Sequence, residues 1–303
     1  MEAVKSIDLI GKRQVQATAA NWLIKLRNLW GDHPTLVVGL FIVGVTCILA
    51  LLADWIAPYD PIKLNLTQTL LPPSSLHILG TDDLGRDILT RVLFGARISL
   101  LVGVSAVALG LAMGTILGLV SGYWGSQVDN VIMRVMDALL SIPALLLAIG
   151  ITAALGPGLN NVIIAISIIY VPAFARMVRG QVLSLREQEF IKAAQVVGVR
   201  TWEIIFRHLL PNALTPIIVL GSLRLASAIL TEAGLSFLGI GVRPPTPSWG
   251  SMVSLGKPYM ETAPWVVFTP GAAIFIIILG LSFMGEGIRD ALDPRLRTQI
   301  GAR

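Results

Sequence analysis

The chain has 303 residues, of which 54% are hydrophobic and 14% charged, where a soluble domain carries about a quarter charged residues. That balance excludes an ordinary soluble helical enzyme, whose helices would show charged outer faces. The formal net charge of +5 does not indicate a nucleic-acid binder, because the basic residues flank apolar runs, where membrane orientation explains them.

In chain order, the first 34 residues hold Lys5, Lys12, Arg13, Lys25 and Arg27 and read as a cytoplasmic tail. Thr35–Ala53 is uncharged for 19 residues and is followed by Asp54-Trp55, not by the small-residue cleavage site of a secretory signal. It predicts an uncleaved span over 36–56. Cys47, the single cysteine, reads as a packing residue. Thr81–Arg97 places Asp82 and Arg86, and Asp87 and Arg91, four apart in the order that supports a helix. With the apolar stripe Leu84, Ile88, Val92 and Leu93, it predicts an interfacial helix on the outer membrane face. Such a helix either braces the next span or offers a contact surface through Asp83, Arg86 and Asp87.

Ile98–Val128, Ala138–Ala175 and Thr262–Gly285 are uncharged for 31, 38 and 24 residues, and a spanning helix needs about 20. Gly156–Asn161 breaks the longest run with turn chemistry. Spans are therefore expected at 98–121, 133–155, 162–178, 213–233 and 264–284, six in total with the first. Pro143, Pro172 and Pro216 are expected to kink them or free backbone groups. With both termini inside, sixteen Lys and Arg flank the inner side and six the outer, which orients the chain with cytoplasmic termini. No internal repeat is apparent.

Ionisable residues inside spans point to function or pairing. Arg224 lies near the middle of the fifth span and Glu232 at its outer end. Arg224 either pairs with a partner chain or faces a water-filled path. Asp137, near the start of the third span, either serves that path or pairs with Arg134. In Val242–Met252 the prolines exclude a helix, and Trp249 reads as an interface anchor or a substrate contact.

Phe190–Asn212 falls on the cytoplasmic side. Val182–Val197 predicts one helix, Gly198 a joint, and Thr201 the N-cap of a second helix. Trp202, Ile205, Phe206, Leu209 and Leu210 predict one apolar stripe. Pro211 marks the return to the membrane. Ala193 and Ala194 leave a bare face that another backbone could approach. This unit is either a hairpin packed back on the bundle or a docking knob.

Its spacing resembles the Glu-Ala-Ala loop of ABC importer permeases: Ala193-Ala194, three residues, Gly198, then Leu210-Pro211. Lys192 stands where that motif often has Glu, and His208 where it often has Ile. Leu79–Gly103, Glu232–Val253 and Gly285–Arg297 are similar to signature segments of the dipeptide, oligopeptide and nickel permeases, most of all their C-type subunit. The resemblance implies an all-α, six-helix, type I (MetI-like) permease in the bacterial inner membrane. It implies a second, B-type permease subunit, two cytoplasmic ATPases and an extracytoplasmic binding protein, which Asp83, Arg86 and Asp87 would contact. Lys192, Ala193, Ala194, Gly198, Leu210 and Pro211 would form the ATPase-coupling loop. Arg224, Glu232 and Asp137 are candidates for path or gate.

Neither Gly11-Lys12-Arg13 nor Gly256-Lys257-Pro258 fits a phosphate-gripping loop. The chain is therefore expected to bind no cofactor, with ATP and Mg at its partners. The expected division is tail 1–34, first helix 35–57, outer loop 58–97, a five-helix core 98–285 with the coupling loop 180–212, and tail 286–303. The expected cargo is di- or oligopeptides, with nickel, glutathione or another solute as alternatives. Two rival readings remain. An intramembrane enzyme lacks histidine at depth, since His33, His77 and His208 lie outside the spans. An autonomous carrier has no use for the docking frame.

Overall fold

The computed structural model describes residues 33–292, so the expected N-terminal tail and the last residues of the C-terminal one lie outside the described residues. Nearly everything between is helix. The helices are α1 Pro34–Leu51, α2 Ala53–Ile56, α3 Ile88–Trp124, α4 Ser126–Leu140, α5 Ala144–Leu155, α6 Leu159–Arg186, α7 Glu189–Val196, α8 Thr201–Phe237, α9 Trp249–Gly256 and α10 Trp265–Leu292.

Five of these are long and apolar enough to cross a membrane, and α4 with α5 makes a sixth if the pair is one span. The pair is bent by 93°. Pro143 sits at the break as the residue before α5, where its ring and missing N–H forbid continuation of the preceding helix. The third expected span is therefore not a straight rod over 133–155. Pro172 and Pro216 are accommodated inside α6 and α8.

The central contact is α3 against α6. Gly110, Gly114, Gly118 and Gly122 recur every fourth residue and face α6 in one line. A Cβ on Gly114 would lie 2.5 Å from Phe174 Cβ and 2.7 Å from the Val171 carbonyl oxygen. On Gly110 it would meet the Ser167 oxygen at 2.8 Å, on Gly118 the Ala175 oxygen at 2.6 Å, and on Gly122 Val182 Cβ at 2.7 Å. In lipid the hydrophobic effect does not drive helices together, so close backbone approach through small residues does. Phe174, Ala175, Val178 and Val182 are fully buried along this seam.

Around it, α8 packs on α3 and α10, and α1 packs on α10. There Gly39 and Gly280 again admit the neighbouring helix. The short α9 tucks between α8 and α10. Its Trp249 is 2% exposed and its Nε1 donates to the Val92 carbonyl at 2.9 Å. This corrects two expectations: Trp249 is a core residue and not an interface anchor, and the prolines end where a helix begins. Ser248 caps that helix through a reciprocal bond with Ser251, as short hydroxyl side chains do at N-termini.

Replacing Gly114 by Val should destabilise the fold by about 1–3 kcal/mol or more through overpacking. Gly150→Ala, where a new Cβ meets nothing within 4 Å, should not. Thermal unfolding of the purified protein in detergent, followed by monodispersity, checks the contrast.

Candidate functional site: the hinge loop and the polar clusters

At one end of the bundle α6 stops at Arg186, and α7 begins at Glu189. The single helix expected over 182–197 is thus two, parted at Glu187-Gln188. Gly198 follows with φ +81°, a left-handed backbone that glycine adopts without penalty. Val199 N–H bonds the Ala194 carbonyl at 3.0 Å, closing the end of α7.

The next helix starts at Thr201 with Arg200, not Thr201, in the cap position. Ile204–Leu209 then forms a π-helical stretch, and the Leu210 N–H reaches back to Ile205 O. Pro211 explains it. Proline lacks an N–H and its ring clashes with the carbonyl four residues earlier, so the preceding turn widens. Asn212 Nδ2 donates to the His208 carbonyl at 2.6 Å, replacing a backbone partner. The helix runs unbroken into the span, so Pro211 marks a widened turn and not a boundary.

The wider turn splits the expected stripe. Ile204, Ile205 and Leu209 are buried, whereas Trp202 and Phe206 are each 57% exposed. Inside, Ile191 of α7 joins Leu119, Val178, Val182, Leu209 and Ile217 in one core cluster, which clamps the loop to α3, α6 and α8. Outside, Val196 and Val197 are 88% and 82% exposed beside Gly198. The loop is therefore a packed hairpin that also shows an apolar tip. Ala193 is exposed and Ala194 half-buried. Lys192 Nζ lies 3.0 Å from Glu187 Oε2 across the helix break, and its hydrogen bond holds the Glu187 carboxyl below the usual range.

Beyond this loop, α4 and α6 form an acidic–basic cluster. Arg179 grips Asp129 with two bonds, at 2.5 and 2.6 Å, a bidentate geometry suited to guanidinium, and Ser121 adds a third. Asp137 pairs with Arg176 at 2.7 Å, not with Arg134. Both acids and Arg134 line an open cavity of about 660 Å³.

Arg224 is half-buried. Its Nε has no hydrogen-bond partner among the described residues, and its guanidinium lies 5.8 Å from the Tyr170 ring centroid. Glu232 is fully buried and accepts from Ser236 at 2.8 Å and Ser99 at 3.0 Å. It joins α8 to α3 inside this one chain.

At the opposite end, residues 81–87 are not helical. Thr81 and Asp87 bridge, and α3 begins only at Ile88. Asp82 and Arg86 pair at 2.7 Å across a loop turn, and Arg91 approaches the same carboxylate at 3.4 Å. Asp87 caps α3 through the Thr90 N–H and meets His77 Nδ1 at 3.0 Å. Arg86 and Asp87 are 4% and 3% exposed, so the expected interfacial helix is instead a buried clasp. Asp83 is half-buried; burial pushes its carboxyl up, Asp82 adds to this, and Arg86 opposes it.

Of the expected pairs Asp82 with Arg86 forms, whereas Arg91 turns to Asp82 and not to Asp87; the long-range partners were not readable from spacing. Arg179 is 50 residues from Asp129, and Glu232 is 133 from Ser99. Only charge opposite charge in an apolar chain hinted that partners exist.

Residues 114–298 match the family model of the binding-protein-dependent transport system inner membrane component. Residues 32–73 match the N-terminal TM domain of oligopeptide transport permease C. The chain is 47% identical to the dipeptide transport system permease protein DppC of Alkalihalophilus pseudofirmus, over 86% of each chain. It is 44% identical to the di/tripeptide transport system permease protein DppC of Pseudomonas aeruginosa, over 86% of this chain and 88% of that one. It is 42% identical to the glutathione transport system permease protein GsiD of Pectobacterium atrosepticum, over 91% and 92%. In fold it is similar to a chain of the inward-facing MetNI methionine ABC transporter, with a TM-score of 0.54 and 19% identity over 68% of this chain and 98% of that one. The chain therefore belongs to the binding-protein-dependent transport inner membrane component family. It is a multi-pass membrane permease subunit of an ABC importer.

Arg86→Ala should leave Asp82 buried and under-neutralised. A broken buried pair costs about 3–5 kcal/mol, an upper figure here because Arg91 remains nearby. Lys192→Ala removes only an exposed partner and should leave the unfolding midpoint unchanged. Thermal unfolding of the two variants side by side checks both.

Proposed function

We propose that this chain forms half of the translocation path for di- and oligopeptides. A second permease supplies the other half, two cytoplasmic ATPases drive it with ATP and Mg, and an extracytoplasmic binding protein delivers cargo. The peptide-transport names of the relatives at 47% and 44% identity support the cargo class. The glutathione relative at 42% keeps that γ-linked tripeptide as a second cargo within the same chemistry. The charge asymmetry of the flanking segments supports cytoplasmic termini and a cytoplasmic α7.

The observation that carries the mechanism is the two-sided loop. Val196, Val197, Trp202 and Phe206 expose an apolar tip, suited to a groove on an ATPase. Behind it, Ile191 anchors the same loop in a core shared by α3, α6 and α8. Motion at the tip then reaches three spans as a rigid displacement, because close-packed cores shift between arrangements and do not deform continuously. Lys192, Ala193, Ala194, Gly198, Leu210 and Pro211 set the shape of this lever, and none of them performs chemistry. Lys192 stands where the motif often has an acid, and its charge meets Glu187. Asp137 sits in a wide polar cavity. Arg224 has an unused N–H donor, which supports contact with a peptide carboxylate when the path opens. Glu232 acts as an internal tie. Asp83 is the member of the clasp with a carboxyl accessible enough to meet the binding protein, while Arg86 and Asp87 hold its loop in place.

Gly198→Val should abolish peptide uptake by the reconstituted complex while ATP hydrolysis continues. A Cβ there meets nothing within 4 Å, so the φ of +81° is the sole obstacle, at roughly 1–2 kcal/mol. Gly198→Asn, which tolerates that backbone better, should retain partial uptake. Normal uptake by the Val variant would remove the coupling role. Arg224→Gln should lower uptake of peptides with a free carboxylate about 10- to 100-fold, the scale of one charged hydrogen bond. Equal loss for amidated peptides would refute carboxylate contact.

A further inference from the structure

Arg224 stands midway along Leu210–Phe237 of α8, where a cation is costly unless something offsets it. Among the described residues the arginines held in ion pairs are Arg86, Arg91, Arg97, Arg176 and Arg179, not Arg224. The acid on the same helix, Glu232, is taken up by Ser99 and Ser236. Arg224 instead has the face of an aromatic ring. Its guanidinium carbon lies over Tyr170, 5.8 Å from the ring centroid, inside the range where a ring's negative face attracts a cation.

Tyr170 is a fixed platform. It is 6% exposed and packs in one core cluster with Val102, Ala106 and Val107 of α3, Phe174 of α6 and Ala228 of α8. Gly110 on α3 leaves room for it: a Cβ there would come within 3.0 Å of Tyr170 Cβ and 2.8 Å of the Ser167 carbonyl oxygen. The seam that joins α3 to α6 therefore sets where the ring sits. An arginine side chain is long and rotatable, and ordering it on binding weakens affinity. A ring beneath the guanidinium orders it before a ligand arrives. The ring covers one face and leaves the N–H edge, which points outward in the guanidinium plane. Nε on that edge is buried and has no hydrogen-bond partner among the described residues. Such a planar fork of donors matches the two oxygens of a carboxylate.

We propose that Tyr170 is the positioning residue for carboxylate recognition in the path: its ring holds the Arg224 guanidinium so that the Nε edge meets the C-terminal carboxylate of a peptide. This rests on Arg224 meeting that carboxylate. The ring acts through its negative face and not through its hydroxyl.

The test is uptake of one tripeptide with a free C-terminus and of its amide by the reconstituted transporter with its binding protein. The ratio of the two rates, taken relative to the unaltered complex, removes selection by the binding protein. Tyr170→Phe should keep the ratio. Tyr170→Leu should lower it about 5- to 30-fold, the scale of a desolvated cation–π contact, by slowing the free peptide alone. Added to Arg224→Gln, Tyr170→Leu should lower it no further, because the two side chains act as one unit. Mono-, di- and trifluorinated phenylalanine at position 170 keep the ring's shape while draining its negative face, and should lower the ratio in steps with the complex intact. A ratio unmoved by fluorination, or a Tyr170→Leu complex that slows both peptides equally, would overturn the proposal while leaving Arg224 as the carboxylate contact. Equal slowing of both peptides by Arg224→Gln would remove the carboxylate contact itself, and this inference with it.

Discussion

Everything in this permease hangs on the backbone contact between α3 and α6. Four glycines at four-residue intervals let the two helices meet carbonyl to Cα along their shared length. Without an apolar driving force between helices in lipid, such close approach supplies the dispersion contacts that hold spans together. Once this pair is fixed, α8 and α10 close around it. The core cluster of Leu119, Val178 and Val182 then offers a seat for Ile191, which anchors the loop beyond. In the proposed mechanism, the stiffness of the seam lets a loop at one end of the bundle move spans as a body.

The ionisable groups divide by the same logic. Those buried within the chain are fully engaged: Asp82 with Arg86, Asp87 with His77 and the start of α3, Glu232 with serine hydroxyls. The first two hold irregular backbone in place at the end of the bundle that carries residues 57–87, and Glu232 joins α8 to α3. Asp137, though paired with Arg176, and Arg134 border the open cavity, and Arg224 is half-buried with its Nε unpartnered among the described residues. That division, more than position along a span, separates ties from the groups proposed to meet a solute.

Much of this was legible in the chain itself. The uncharged runs gave the helices, and Gly198 with Leu210-Pro211 gave the hinge loop, because left-handed glycine and the missing proline N–H act locally. The Gly110–Gly122 repeat was equally visible as small residues four apart in an apolar run, yet it names no partner helix. Burial of Arg86 and Asp87 was illegible, since spacing of four suits an exposed helix and a folded loop turn alike. Trp249 was misjudged because proline-rich sequence conceals the capped helix that follows it. The exposed Trp202 and Phe206 depended on a π turn that shifts register by one residue, which no stripe of helical spacing contains.

The central claim is that the hinge loop and the α3–α6 pair move as one body. Spin labels at Val196 and Ile116, both exposed, in a Cys47→Ser background of the reconstituted transporter, measure it by pulsed electron resonance. The account predicts a distance that stays the same with and without ATP. A change in the Val196–Ile116 distance on ATP binding would contradict it, because the loop would then flex without carrying the spans.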